Sequence, residues 1–468
     1  MHKKKNIVIF GASGGALKVA NTFKSLNIDF QFFVDNDEKK WGTFIEDTEV
    51  KKPSVLKNSD YEIVIASIYQ EEIEEQLKEM GIDLLKVVPK EKYIMEKIND
   101  KLEEFSDYIQ TKKINFKENQ SYIIDLAEGL SVGGIETWSF NLAKILKKKN
   151  RQCFIYSKQT SELPPEELKD NIIMMDMEFE TYVENIKKII DEIINKLPCV
   201  FLINWVTHVF WTAYILKKIF GEKVKIIVGV HHDMQGLYKR NKYIEGVVDK
   251  FLCVSTGNRN RMVNEFKLSE EKVFYLSVPM HVADTVTEIA LDKEEPVQIN
   301  FGSRLVKAQK RADMVIPLIE ELEKLGVNYN LNIAGGGKYL EIILDYVKKH
   351  GLINKVNIHG EIRYNKMHYF WKKADIVVSL SETEGLGLSI LEGMSYGAVP
   401  VVTDTAGIRE YVINDENGYV VSIGDIKSMA DKIKHLDENR VKLISFKKKS
   451  RYLIQNKCSE ERYYDFIK

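Results

Sequence analysis

Four charged side chains in the last third of the chain have types and spacing suited to handling a phosphorylated sugar. Arg304 leaves the apolar run of "NFGSRLVKAQKRAD" with Lys310 six positions on, and Glu384 and Glu392 stand either side of the Gly-Leu-Gly-Leu-Ser turn in "SETEGLGLSILEGMSYGAVPVV". The two cations can neutralise a departing diphosphate without a metal ion. Leu388 and Ser389 fall where the helix after the turn begins, and its unpaired backbone N–H groups favour an anion. The carboxylates cannot bind that anion, but each can accept paired hydrogen bonds from vicinal hydroxyls. Phosphate flanked by two polyols describes a nucleotide sugar. No piece carries this alone: a lone Arg or Lys is usually a solvated surface residue, and two glutamates eight apart are common in a chain with 69 acidic residues.

The elements that must position these groups read as strands alternating with helices. Short apolar runs such as "NIVIFG", "SYIIDLA", "VKIIVGVHH", "VQINFGSRL", "YNLNIAGGG" and "ADIVVSL" are each followed by a helical pattern, with Gly or polar residues at the strand exits. That alternation predicts doubly wound α/β units with parallel sheets, whose ligands bind where the strands end. Polar stretches divide the chain into residues 1–95, a charged helical connector over 96–118, a second unit over 119–290, a third over 291–450, and a final helix over 451–468 that is expected to pack back on the second unit.

In combination the motifs resemble the family 4 retaining glycosyltransferases, which have the two-domain GT-B fold. "EGLGLSILE" is similar to their Glu-x7-Glu motif, "SVGGIE" at 131–136 to their Gly-Gly turn, "VHHD" at 230–233 to their strand-exit histidine, and "VNIHGEI" to the segment that meets the base. The resemblance covers about 340 residues, with the motifs in order. It implies that Arg304 and Lys310 hold the diphosphate, Glu392 the ribose and Glu384 the donor sugar. Gly133, Gly134, Gly385, Leu388 and Ser389 would offer backbone to the donor, and Ile362 would lie by the base. His231 is expected to face the reacting sugar because it comes first after the strand, with His232 and Trp205 as acceptor-side candidates. "YLSVPMHVAD" departs from the Asn-Gly turn of many relatives, which bears on the hinge and acceptor cleft. The implied reaction is retaining transfer from a nucleotide diphosphosugar to a hydroxyl of a glycan, glycolipid or glycoprotein. The diphosphosugar is a substrate, and no metal or other cofactor is expected.

The first unit has its own strand-to-helix turn, with Gly11, Ser13, Gly14 and Gly15 able to cradle phosphate and Asp35 able to bind ribose. It looks like the amino-terminal nucleotide-sugar-binding domain of bacterial sugar acetyltransferases, which implies a second nucleotide site or an assembly role. Asp35-Asn36-Asp37 imitates a manganese-binding Asp-x-Asp motif, but its place after a second strand reads better as a turn. Trp138 and Trp211, at helical spacing, read as core rather than sugar platforms.

Composition bounds the rest. A net charge of -1 over 468 residues argues against a dedicated nucleic-acid binder. Four scattered cysteines suit a reducing compartment, and the leading apolar run breaks at Gly11, too early for a signal peptide. The uncharged segment 198–216 has Asn204, Thr207 and His208 at its centre and divides into strand, loop and helix rather than spanning a bilayer. The lysines at 147–149 and 447–449 leave room for peripheral contact with an anionic membrane face, so the expected place is the cytoplasm, at or near the inner face of the membrane. Self-association stays open. Two competitors remain: a nucleotide-sugar oxidoreductase or epimerase working from "GASGGA", and a nucleotide-sugar-binding regulatory or assembly subunit.

Overall fold

The computed structural model of the protein describes residues 6–468 apart from 58, 68, 127–132, 159–164, 176–180, 284–293, 364–365, 385 and 406. The predicted apolar runs become strands, and those at the sheet centres, such as Ile7–Phe10, Ser121–Leu126 and Ile376–Ser379, are buried on both faces because helices cover both sides of their sheets. The first sheet holds, in spatial order, Phe44–Ile45, Thr48–Lys51, Phe33–Val34, Ile7–Phe10 and Glu62–Ile65, with only the outermost pair antiparallel. The second is parallel: Val273–Tyr275, Lys250–Cys253, Val224–Val230, Cys199–Ile203, Ser121–Leu126, Cys153–Lys158 and Ile172–Met175. So is the third: Val356–Gly360, Tyr329–Ala334, Val297–Gly302, Ile376–Ser379, Val399–Thr403 and Tyr419–Val421.

Strand order reverses in each sheet about its first strand, and the crevice outside the strand ends at such a point is where ligands bind. In the third sheet the crevice lies between the exits of Val297–Gly302 and Ile376–Ser379, which carry Arg304 and Glu384 respectively. In the second it lies between the exits of Ser121–Leu126 and Cys199–Ile203, beside that of Val224–Val230.

The units are not strung loosely. One apolar cluster joins Ile9 and Phe23 of the first unit, Ile98 and Phe105 of the charged helices after it, and Ile186 and Trp211 of the second. Another joins Ile124 and Trp138 of the second unit to Trp371 and Leu391 of the third and Tyr463 of the final helix, Glu460–Ile467. Trp138 Nε1 donates to Tyr463 Oη at 2.6 Å, tying that helix to Gly134–Lys148.

The segment 198–216 resolves into the strand Cys199–Ile203 and the helix His208–Phe220, and among the described residues no helix is long and apolar enough to cross a membrane. The basic clusters are largely engaged within the fold. Lys148 and Lys149 pair with Glu460 and Glu461, Lys147 donates to the Glu167 carbonyl, and Lys447 is buried against Asp375.

Candidate active site

Lys310 is aimed inward by its loop. Gln309 and Arg311 on either side of it sit at φ +67° and +49°, left-handed values that non-glycine residues rarely hold without a structural reason. The Gln309 carbonyl accepts the Glu382 backbone N–H at 2.7 Å, joining this loop to the one that carries Glu384. Lys310 Nζ then donates to Glu384 Oε1 at 2.5 Å, and Ser381 Oγ donates to the same oxygen at 2.7 Å. Arg304 is exposed, its Nη2 donating to Gln309 Oε1 at 3.2 Å.

The Arg304 loop is itself braced by "AGGG", residues 334–337, at the exit of the Tyr329–Ala334 strand. Gly335, at φ +141°, passes so close that a β-carbon there would lie 1.9 Å from the Ser303 carbonyl oxygen. The Ser303 and Leu305 backbone N–H groups donate to the carbonyls of Ala334 and Gly336 at 2.9 and 2.7 Å. A glycine run directly after a strand was the available signal.

Glu392 lies on the Leu388–Ser395 helix, where its Oε2 accepts Trp371 Nε1 at 2.9 Å. Burial pushes its carboxyl up to about 7, the indole bond opposing the shift only in part. Leu388 opens this helix, with Ser389 next to it, both half-buried. Across the cleft, Gly133 and Gly134 begin the Gly134–Lys148 helix, and a β-carbon on Gly134 would lie 3.8 Å from Leu388 Cβ. Two helix amino termini from different units therefore meet. They are unequal: the Glu136 carboxylate folds back beside Gly133, so the Leu388 end offers the stronger positive field. Ile362 follows the Val356–Gly360 strand, half-buried. Gly385 lies outside the described residues.

The structure tells the two histidines apart by their partners. His231 Nε2 donates to Asn204 Oδ1 at 2.8 Å, and its ring meets Trp138 edge-on at 5.0 Å. Asn204 in turn donates to the Asp125 carbonyl and to Ser139 Oγ. Burial pushes the His231 imidazole down to about 3, fixing it as a neutral structural donor. His232 is the one within electrostatic reach of the third unit. Burial lowers its pKa, Glu384 opposes that, and Lys310 and Arg304 add to it. The His232 ring lies 5.9 Å from that of Trp205, tilted by 31°. Asp233, next in the chain, accepts Tyr238 Oη at 2.9 Å and pairs with Arg261. Trp138 and Trp211 are buried in the core.

The turn of the first unit stands apart from this cleft. Gly11 is at φ +120°, Ser13 caps the Gly14–Ser25 helix without a side-chain bond, and Gly14 and Gly15 follow. Asp35 is already engaged, accepting the backbone N–H groups of Ala12 at 2.7 Å and Asp37 at 2.9 Å and pairing with Lys40 at 3.1 Å. Burial works to raise its pKa, but these partners outweigh it and hold the carboxyl below the ordinary range. Asp37 caps the short helix Glu38–Lys40, so Asp35-Asn36-Asp37 is a turn. Among the described residues no cluster of His, Cys, Asp and Glu could hold a metal ion.

Residues 284–457 match the family model described as Glycosyl transferases group 1, and residues 3–88 match one described as C2185-like, N-terminal. The chain is 27% identical over 249 residues to the poly(ribitol-phosphate) alpha-N-acetylglucosaminyltransferase of Staphylococcus aureus, covering 52% of this chain and 49% of that protein. It is 25% identical over 198 residues to an uncharacterized glycosyltransferase of Methanocaldococcus jannaschii, covering 42% of this chain and 52% of that one. The chain thus spans about half the length of these curated relatives. Among solved structures, Anabaena HepE in complex with UDP and glucose superposes with a TM-score of 0.60 at 14% identity, over 74% of this chain and 98% of that one. Such likeness shows the fold: GT-B, two Rossmann-like domains across a cleft, here with a further Rossmann-like domain appended at the amino terminus.

Proposed function

We propose that the protein transfers a sugar from a nucleotide diphosphosugar to a hydroxyl acceptor, with retention of anomeric configuration and without a metal ion. The observation that carries this reading is the convergence of Lys310, Glu384 and His232 from two domains beside the Leu388 helix amino terminus. Lys310, Arg304 and the helix N–H groups take the charge that develops on the departing diphosphate. Glu384 accepts hydrogen bonds from the donor sugar's hydroxyls. Glu392 offers the ribose a carboxylate, and Ile362 lies toward the base. His232 presents the acceptor side, with Trp205 beside it as a platform for a sugar ring. Retention then follows front-face attack, in which the leaving phosphate accepts the nucleophile's proton, so no protein base is required.

Acceptors on a glycan, glycolipid or glycoprotein fit this chemistry. The match to the group 1 glycosyl transferase model over 284–457 favours a transferase over an oxidoreductase working from the first unit. Four buried free cysteines suit work in a reducing compartment such as the cytoplasm.

The test is a panel of nucleotide sugars scored by thermal shift and by slow donor hydrolysis in EDTA, for wild type and Arg304→Ala. One donor that stabilises and is hydrolysed, with both effects lost in the variant, is the expected result. Ligand binding that survives Arg304→Ala and vanishes on changing Gly14 would move the ligand to the first unit and overturn the reading in favour of a binding subunit.

A further inference from the structure

The appended domain reaches the acceptor side of the cleft through one helix. The amino-terminal turn of Gln70–Glu79 meets that of Gln235–Ile244, which begins three residues after His232. A β-carbon on Gly236 would lie 2.0 Å from Gln70 Oε1, so the Gln70 amide rests directly against the Gly236 backbone. Glu74, only 3% exposed, is the centre of the contact. Its Oε1 accepts Gln70 Nε2 at 2.8 Å, and its Oε2 accepts Gln235 Nε2 at 3.2 Å. Lys239, one turn further along the second helix, pairs with the same Oε2. Glu71 Oε1 accepts the Gln235 backbone N–H at 3.3 Å, placing another carboxylate at the positive end of that helix.

A buried ion pair of this kind adds little net stability, because desolvation offsets its attraction, whereas its directional bonds fix geometry. What they fix is the far end of the loop that carries His232. The acceptor domain anchors the near end, through Asn204 on His231 and through Tyr238 and Arg261 on Asp233. Catalytic side chains hold productive geometry only as well as the shell behind them.

We propose that Glu74 is a positioning residue for sugar transfer, holding through Gln235 and Lys239 the segment that presents His232 to the donor pocket. The appended domain is on this account a working part of the acceptor half. The proposal rests on reading Lys310, Glu384 and His232 as the site of the reacting sugar.

The full-length protein tests it, with the nucleotide diphosphosugar that wild type hydrolyses in the panel as the probe. Glu74→Ala is expected to lower kcat about tenfold while donor KM stays within about twofold. Amide exchange should speed up over 231–238 and stay unchanged in the Val297–Gly302 strand. Glu74→Gln, which keeps one oxygen to accept from Gln235 and Lys239 and turns its Nε2 toward Gln70, whose amide can flip to accept it, is expected to restore at least about half the rate. If Glu74→Ala fails to fold, Gln235→Ala and Lys239→Met carry the same expectations from the other side of the contact. Wild-type kcat, or unchanged exchange over 231–238, in an otherwise active protein overturns the role of Glu74 alone. A wild type that hydrolyses no nucleotide sugar sinks the transferase reading, and this role with it.

Discussion

Lys310 and Glu384 form an ion pair at 2.5 Å with their side chains only 17% and 12% exposed, so the cation assigned to the leaving group and the carboxylate assigned to the sugar hold each other in place. A donor that engages both must insert between them: its hydroxyls replace the ammonium on Glu384, and the ammonium turns to phosphate. Each group is thus oriented before the substrate arrives.

Lys310→Ala should therefore lower turnover on the order of a hundredfold, and Arg304→Ala by a similar factor, because an oriented charge on the leaving group is lost. Single-turnover donor cleavage is the measurement, and wild-type rates in both variants would falsify the donor-site assignment. Lys310→Ala and Glu384→Ala should also combine less than additively, since each removes the other's partner.

Donor binding should respond to pH through Glu392. With its carboxyl pushed up to about 7, acidification protonates the group that the ribose needs as an acceptor. Affinity for a nucleotide diphosphosugar, whose phosphodiesters stay ionised throughout, should weaken by about tenfold from pH 8 to pH 6. Glu392→Gln should flatten the profile, as calorimetric titration at several pH values would reveal. The linkage to stability has the opposite sense: the native state binds the extra proton between the ordinary carboxylate value and about 7, so wild-type stability relative to Glu392→Gln should fall as pH rises through that window and level off above it.

The adjacent histidines should separate cleanly on substitution. His232→Ala should cut turnover with little change in Tm, because it removes a ring that faces the cleft. His231→Ala strands Asn204 Oδ1 inside the domain and should cost about 1–3 kcal/mol, read as a drop in Tm. Because the folded His231 resists protonation, wild type should lose stability as pH falls below the ordinary histidine value toward about 3, a loss that His231→Gln should reduce. Equal effects of both alanine variants on Tm would sink the distinction.

The doubly wound architecture was legible because it depends on local pattern, and so was the nearness of Lys310 to Glu384, which the structure joins in an ion pair. Apolar runs followed by helical periodicity specify strand and helix, and Arg304, Lys310 and Glu384 sit in the loops at two adjacent strand exits of one sheet, with Glu392 on the helix that follows. The assignment of His231 and His232 was not legible, because it turns on Asn204 reaching one ring from the next strand, a contact between residues 27 apart. Trp371 behind Glu392 escaped notice for the same reason: tertiary partners leave no periodicity. The Ala12 amide on Asp35 was not legible either, because it comes from the strand-to-helix turn 23 residues earlier.

Gly335→Ala tests the brace behind Arg304. With a β-carbon directed 1.9 Å from the Ser303 carbonyl and φ at +141°, the substitution must displace one loop or the other. A stability loss of about 1–3 kcal/mol is expected. Diphosphate affinity should also weaken, in contrast to Gly351→Ala, where a β-carbon meets nothing and only the left-handed backbone is strained. Undiminished nucleoside-diphosphate binding in Gly335→Ala would show that the loop tolerates the shift.

The bond between Trp138 and Tyr463 joins residues 325 apart. It sets an order on biosynthesis. The second domain is translated well before the third, yet the face of its Gly134–Lys148 helix that holds Trp138 lacks its cover until Glu460–Ile467 emerges from the ribosome. Until that helix is made, the indole keeps its edge-on contact with His231 but lacks its Tyr463 partner, an interval of tens of seconds at roughly 5–20 residues per second. This face of the second domain is therefore completed only after the whole third domain has been made.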